Sequence, residues 1–185
     1  DRSLEIVAQL KTRGSASAVC YTAGFSELGR DDLERELIEA AGDMALLGPN
    51  CMGYVNFLHG VGLVASSQGL NRPPRGVACI AQSGTIVGNM VLSDRSLPVS
   101  HMLSMGNQAV LDLADGIDAV IGAPRVVAIM LYVEGLKDAQ AFAAAVHRAH
   151  AAGLPIVCLK GGISEAGRAI ALSHTGSLAG TPALY

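Results

Sequence analysis

Residues 76–85 read Gly-Val-Ala-Cys-Ile-Ala-Gln-Ser-Gly-Thr, six small or apolar residues running straight into a polar turn. An unbroken apolar run of that length, closed by turn residues, predicts a strand buried on both faces. Ser83-Gly84-Thr85 then predicts a helix start, and the helix reaches about Ser96. The same rhythm recurs downstream. A strand over Val99–Leu103 ends at Ser104-Met105-Gly106-Asn107, followed by a helix near Val110–Ile121. A strand over Val126–Val133 ends at Glu134, followed by a helix from about Asp138 to Ala152 with Phe142, Val146 and Ala149 on its buried face. A last strand over Ile156–Leu159 ends at Lys160-Gly161-Gly162. Four strands alternating with three helices predict right-handed βαβ units, a parallel sheet and an α/β fold.

Upstream the order is helix, strand, helix, strand. Leu4, Ile6, Val7 and Leu10 mark a short amphipathic segment before Gly14, and Val19–Ala23 reads as a strand. A helix begins at Asp31 with Glu34 placed for a capping box. Leu33, Leu37 and Ile38 line one of its faces, and Gly42 ends it. Met44–Leu47 is the next strand and runs into Gly48-Pro49-Asn50-Cys51-Met52-Gly53. A doubly wound domain ordinarily opens on a strand and a phosphate-gripping glycine turn; none precedes Val19, so the chain is expected to start in mid-domain. Residues 57–75 read as loop, with Asn71-Arg72-Pro73-Pro74 a stop between domains.

Composition limits the function classes. Half of the 185 residues are hydrophobic, 16% are charged and 22 are Gly, a composition that buries a core. A net charge of −3, with no Trp, three Phe and four Tyr, leaves neither a basic footprint nor stacking surfaces for nucleic acid. No apolar run approaches the ~20 residues of a membrane helix. Cys20, Cys51, Cys79 and Cys158 form no C-x-x-C pair; three of them sit inside apolar strand-like runs and read as buried thiols, and the four predict neither a metal site nor a disulfide framework. With no secretory leader, a cytoplasmic location is expected.

In an open parallel sheet, ligands bind beyond the carboxyl ends of the strands. Here those ends carry Gln82-Ser83-Gly84, Ser104-Met105-Gly106-Asn107, Glu134 and Lys160-Gly161-Gly162. Ser83-Gly84-Thr85, at a strand-to-helix turn, offers backbone N–H groups and a helix dipole to an anion; taken alone it is equally a plain helix cap. Glu134 can accept a hydrogen bond from an imidazole N–H and fix its tautomer; taken alone it reads first as an exposed strand-end carboxylate. His174 lies among small residues, five of them glycines between Gly161 and Gly180, where a bulky group can approach. His59, His101, His147 and His150 lie in ordinary loop, strand and helix contexts.

Six segments together resemble one family, the nucleoside-diphosphate-forming acyl-CoA synthetases, relatives of the succinyl-CoA synthetase α subunit that include ADP-forming acetyl-CoA synthetase. They are Thr22-Ala23-Gly24-Phe25-Ser26-Glu27, Leu47-Gly48-Pro49-Asn50-Cys51-Met52-Gly53, Ala81-Gln82-Ser83-Gly84, Ser104-Met105-Gly106-Asn107, Leu131-Tyr132-Val133-Glu134 and Ser173-His174-Thr175-Gly176. The second and last are the specific ones.

The resemblance implies the end of a Rossmann-like CoA-binding domain over 1–57, a linker over 58–75 and a flavodoxin-like parallel-sheet domain over 76–185. It implies the reversible reaction of acid, CoA and ATP to acyl-CoA, ADP and phosphate. By the resemblance His174 carries the phosphoryl group between two sites and Glu134 holds its imidazole. Ser83, Gly84, Thr85 and Gly176 bind phosphoryl oxygens; Asn50, Cys51, Gly106 and Asn107 lie near CoA and the acyl group. Coenzyme A and a small carboxylic acid are the substrates, with ATP/ADP and magnesium bound mainly by an ATP-grasp domain or subunit outside this chain, in an oligomer. No metal site, nucleic acid or membrane is implied for the chain itself, and the 185 residues alone are not expected to turn over. The competing readings are a silent CoA-binding or regulatory module of the same family, and a flavodoxin-like electron carrier, which lacks the expected aromatic residues.

Overall fold

A computed structural model describes residues 2–65, 72–92 and 97–164; Ser173 to Gly176, with His174, lie outside the described residues. The larger unit is a six-stranded sheet. Its strands are β3 (Gly53–Asn56), β4 (Val61–Val64), β5 (Gly76–Ala81), β6 (Val99–Ser104), β7 (Val126–Val133) and β8 (Ile156–Lys160), in the order β4-β3-β6-β5-β7-β8. β6, β5, β7 and β8 pair in parallel; β3 is antiparallel to both β4 and β6. The four predicted parallel strands therefore form, each within a residue of its expected limits. The front edge differs from the loop that the sequence predicts over 57–75. Val61–Val64 is instead a strand that folds back on Gly53–Asn56, and the hairpin extends the larger sheet. Val61 and Leu63 are exposed there, so the alternation that marks a half-buried strand was missing.

The period of two explains why β5 takes the centre. Ala78 and Ile80 enter a core with Ile129, Leu131 and Val133 of β7, covered by α4 (Leu113–Val120) and α5 (Ala139–Ala151). Cys79 and Ala81 point to the opposite core, with Val55, Met102 and Val87 of α3 (Gly84–Leu92). Both faces are apolar because both are covered. α4 starts three residues later than its apolar pattern suggested. Asp112 caps it by accepting from the Ala114 and Asp115 N–H groups, while the Asp115 carboxylate accepts from the Asp112 N–H.

The smaller unit pairs β1 (Ser17–Val19) and β2 (Ala45–Leu47) in parallel, under α1 (Arg2–Thr12) and α2 (Asp31–Ala41). β1 begins two residues before its predicted start and ends at Val19. Cys20, expected in the strand, instead donates its N–H to the Leu47 carbonyl as the strand ends. Val7, Phe25, Leu37, Ala41, Met44 and Leu46 form the core of this unit. The capping box expected at Asp31 does not form: Arg30 takes the cap position with no side-chain hydrogen bond, and Glu34 is buried. Ile38, predicted on the inner face, is exposed; Leu37 and Ala41 face inward with Glu34.

Candidate functional site

The parallel strands bring their carboxyl ends to one edge of the sheet, and Gln82 joins three of them. Its N–H donates to the Tyr132 carbonyl at 3.3 Å, and its carbonyl accepts from the Gly106 N–H at 3.2 Å. Its side-chain oxygen accepts from the Glu134 N–H and, at 3.0 Å, from the Gly135 N–H. Lys160 Nζ donates to the Glu134 carbonyl at 2.8 Å and to the Gly161 carbonyl. Glu134 is thus no exposed strand-end residue; it is only 4% exposed, on a turn fixed from both sides. Burial, with the Glu134 charge beside it, pushes the Tyr132 hydroxyl above its ordinary pKa.

Ser83 is buried and caps α3, its Oγ accepting from the Ile86 N–H at 3.4 Å and its carbonyl from the Val87 N–H at 3.1 Å. The first N–H groups of any α-helix lack intrahelical acceptors, so Gly84 and Thr85 present donors at the positive end of the helix dipole. Gly84 is required here. A Cβ would meet Met52 Cγ at 2.5 Å, so its absence lets the loop 48–53 lie against the first turn of α3.

That loop interleaves with the one after β6. Asn107 and Ala109 donate their N–H groups to the Pro49 and Gly48 carbonyls, each at 3.0 Å, and the Met52 N–H donates to Ser104 Oγ at 2.9 Å. The Gly48–Pro49 peptide is cis, and Asn50 adopts φ +56°. Gly106 (φ +59°) passes so close that a Cβ would lie 2.1 Å from the Pro49 carbonyl oxygen.

The side chain of Asn107, fully buried, is committed to the protein. It accepts from Asn50 Nδ2 at 3.2 Å and donates to Ser26 Oγ at 3.2 Å, to Glu34 at 3.1 Å and to Glu27. Ser26 also donates to Glu34 at 2.6 Å, and Lys137 Nζ meets the other Glu34 oxygen at 3.0 Å. Glu27 accepts from the Gly24 and Phe25 N–H groups as well. Burial raises its pKa, but the Gly24 N–H and the Asn107 amide outweigh burial and hold the carboxyl below its ordinary value. Cys51 is buried and donates toward the Cys20 carbonyl at 3.4 Å; burial pushes its thiol up to about 11. A thiol so held is no nucleophile at neutral pH.

The structure therefore gathers Ser83, Gly84 and Glu134 through Gln82, and Asn50, Gly106 and Asn107 in the adjoining loops. His174 and Gly176 lie outside the described residues. Sequence reasoning missed Gln82 as the tie between strand ends, along with Glu34 and Lys137. Glu34 carried a signal, an acidic residue on the apolar face of its helix. Among the described residues no group of three or more His, Cys, Asp or Glu side chains could hold a metal ion, and no helix is long and apolar enough to cross a membrane.

Residues 74–185 match the family model for the succinyl-CoA-ligase-like flavodoxin domain. The chain belongs to that family. It is 38% identical to a trans-feruloyl-CoA synthase from an unknown prokaryotic organism, over 98% of this chain and 27% of that protein. It is 34% identical to the ADP-forming acetate–CoA ligase of Methanocaldococcus jannaschii, over 98% of this chain and 26% of that protein. Its fold matches the dinucleotide-forming acetyl-coenzyme A synthetase 1 of Ca. Korarchaeum cryptofilum, solved with phosphate and ADP, with a TM-score of 0.85 and 32% identity. That match covers all of this chain and 40% of the other. The chain thus spans between about a quarter and two fifths of the length of these relatives.

Proposed function

We propose that this chain forms part of an acid–thiol ligase that converts acid, CoA and ATP reversibly to acyl-CoA, ADP and phosphate. His174 is its phosphoryl carrier. The observation that carries this reading is the clamp by which Gln82 brings the buried Glu134 turn beside the N-terminus of α3. Phosphoryl transfer to an imidazole needs a carboxylate to hold the opposite ring N–H, and donors to neutralise the transferred oxygens. Glu134 and the Ser83-Gly84-Thr85 turn supply both kinds of group, and Gly176, two residues after His174 in the sequence, is assigned to the same role by the family resemblance.

In the acyl-CoA-forming direction the phosphoryl group passes from phospho-His174 to the carboxylate, giving neutral imidazole and an acyl phosphate. The CoA thiolate then displaces phosphate, forming the thioester. The interlocked loops around Asn50, Cys51, Gly106 and Asn107 shape the approach of CoA and the acyl group, Cys51 and Asn107 as buried supports. ATP/ADP with magnesium belongs to an ATP-grasp domain or subunit, and magnesium serves there to neutralise phosphate charge. We assign 1–57 to the CoA-binding domain, 58–75 to a linker and 76–185 to the flavodoxin-like domain by chain order, although the hairpin 53–64 pairs with the sheet of the last. The acid is a small carboxylic acid, and the whole works as an oligomer in the cytoplasm.

Full-length protein incubated with radiolabelled ATP, or with labelled phosphate and acyl-CoA, should acquire an acid-labile, base-stable label. His174→Asn should abolish it, and Glu134→Gln should reduce it by at least tenfold. A wild-type protein that never takes up label would leave only the silent CoA-binding or regulatory module.

A further inference from the structure

Every polar atom of Gln82 but one has a partner. Its backbone N–H and carbonyl bond Tyr132 and Gly106, and its side-chain oxygen accepts two backbone N–H groups. Backbone N–H groups can only donate, so the amide is oriented without ambiguity: the oxygen lies on the Glu134–Gly135 turn and the NH2 lies one bond angle away. That NH2 is buried and has no hydrogen-bond partner, in a residue 1% exposed. Buried amide donors are nearly always satisfied, and leaving one bare is costly. This donor is two residues ahead of Gly84, where the positive end of α3 begins. A donor-only group beside a helix N-terminus suits an anionic oxygen small enough to enter a buried turn.

We propose that Gln82 serves the site twice: its carboxamide oxygen sets the Glu134 turn, and its amide hydrogens donate to an oxygen of a tetrahedral phosphoryl group held there. The inference rests on the proposed reading of the Ser83 turn as a phosphoryl site, and goes beyond it by adding a side-chain donor to the backbone ones. The ligand chemistry is the same for free inorganic phosphate and for a phosphoryl group on His174, and two assays separate them.

Inorganic phosphate is titrated calorimetrically into full-length wild type, Gln82→Met, Gln82→Glu and His174→Asn, without CoA or nucleotide. Gln82→Met keeps the length of the side chain without either hydrogen-bonding function, and should weaken phosphate binding by about tenfold or more. Gln82→Glu can still accept from the Glu134 and Gly135 N–H groups but donates only when protonated. Its deficit relative to wild type should therefore be large at pH 8 and shrink at pH 6. His174→Asn should bind phosphate while losing all label, so a failed ligase reading and a failed Gln82 assignment show up in different experiments. A shortened lifetime of the label at pH 8 in Gln82→Glu, which keeps the acceptor for the Glu134 turn, would place the donor on the phosphorylated histidine; an altered phosphate affinity with an unchanged lifetime would place it on free phosphate. Phosphate affinity within twofold of wild type in Gln82→Met, together with a label lifetime unchanged in Gln82→Glu, overturns the proposal. Should that variant fail to fold, a Gln82→Glu protein matching wild type at both pH values overturns it equally.

Discussion

Gly106→Ala tests whether the two interleaved loops are as tightly interlocked as their geometry says. Two effects add. An L-residue at φ +59° pays the left-handed penalty of about 1–2 kcal/mol. The new Cβ would also lie 2.1 Å from the Pro49 oxygen and 2.7 Å from the Asn50 oxygen, both backbone atoms that no side-chain rotation can move aside. The loops must then separate, and the Asn107-to-Pro49 and Ala109-to-Gly48 hydrogen bonds stretch or break, at roughly 1 kcal/mol each. The total is about 3–4 kcal/mol. Gly122→Ala is the internal control, because Gly122 has φ +78° and nothing within 4 Å of a built Cβ, leaving the backbone penalty alone. The gap between the variants is then about 2 kcal/mol, roughly a thirtyfold difference in local opening. Native-state hydrogen exchange of the Asn107 and Ala109 amides in the full-length protein reads that quantity directly. Equal protection of those amides in the two variants would refute the interlock.

Other consequences follow from the same region. Asn107→Leu removes the shared donor between Glu27 and Glu34 and should cost about 3 kcal/mol at pH 7. The folded Glu27 carboxyl lies below its ordinary value of 4.5, so its stabilisation is present above that pH and is lost as pH falls through the folded value. The cost of Asn107→Leu should therefore be smaller at pH 4 than at pH 7 in urea unfolding, and an equal cost at both would contradict the assignment. Lys137→Met should cost under about 1 kcal/mol, because the lysine side chain is 41% exposed and Glu34 keeps its Ser26 and Asn107 partners. Alkylation at pH 8 should modify exposed Cys158 first and leave Cys51 and Cys79, both raised to about 11 by burial, intact until the protein unfolds. Peptide mapping that found Cys51 reacting as fast as Cys158 would contradict this.

The legible parts of the sequence were those governed by local periodicity. β5 is an uninterrupted apolar run because both its faces are covered, β7 is an apolar run buried at Ile129, Leu131 and Val133 and half-buried between them, and their carboxyl ends carry the turn residues of the candidate site. The hairpin β3–β4 was not legible, since its pairing with β6 is long-range and its outer strand is exposed. Glu34 misled for a related reason. An acidic residue three positions into a helix has the spacing of a capping box, yet its partners come from Ser26, Asn107 and Lys137, the last of them 103 residues away. Spacing cannot report a partner supplied by tertiary packing. The role of Gln82 was not legible either, because its importance lies in what its side-chain oxygen reaches in the turn just past β7.

The segment carrying Glu134 is held at four points by three different parts of the chain. Gln82 takes the Glu134 and Gly135 N–H groups, Lys160 takes the Glu134 carbonyl, and Glu34 of the smaller unit takes Lys137. A carboxylate meant to hold an imidazole in one tautomer loses its value if its backbone drifts by even an ångström. On the proposed reading, this gives the relay an asymmetry. A phosphoryl carrier that serves two sites has to travel, and the turn that receives it is built not to. Cutting the Lys137 tie from the smaller unit should then leave Glu134 in place, since Gln82 and Lys160 remain, while cutting Gln82 should release it. Comparing hydrogen exchange at the Gly135 amide in Lys137→Met and Gln82→Met tests that ranking, and greater exposure in the lysine variant would reverse it.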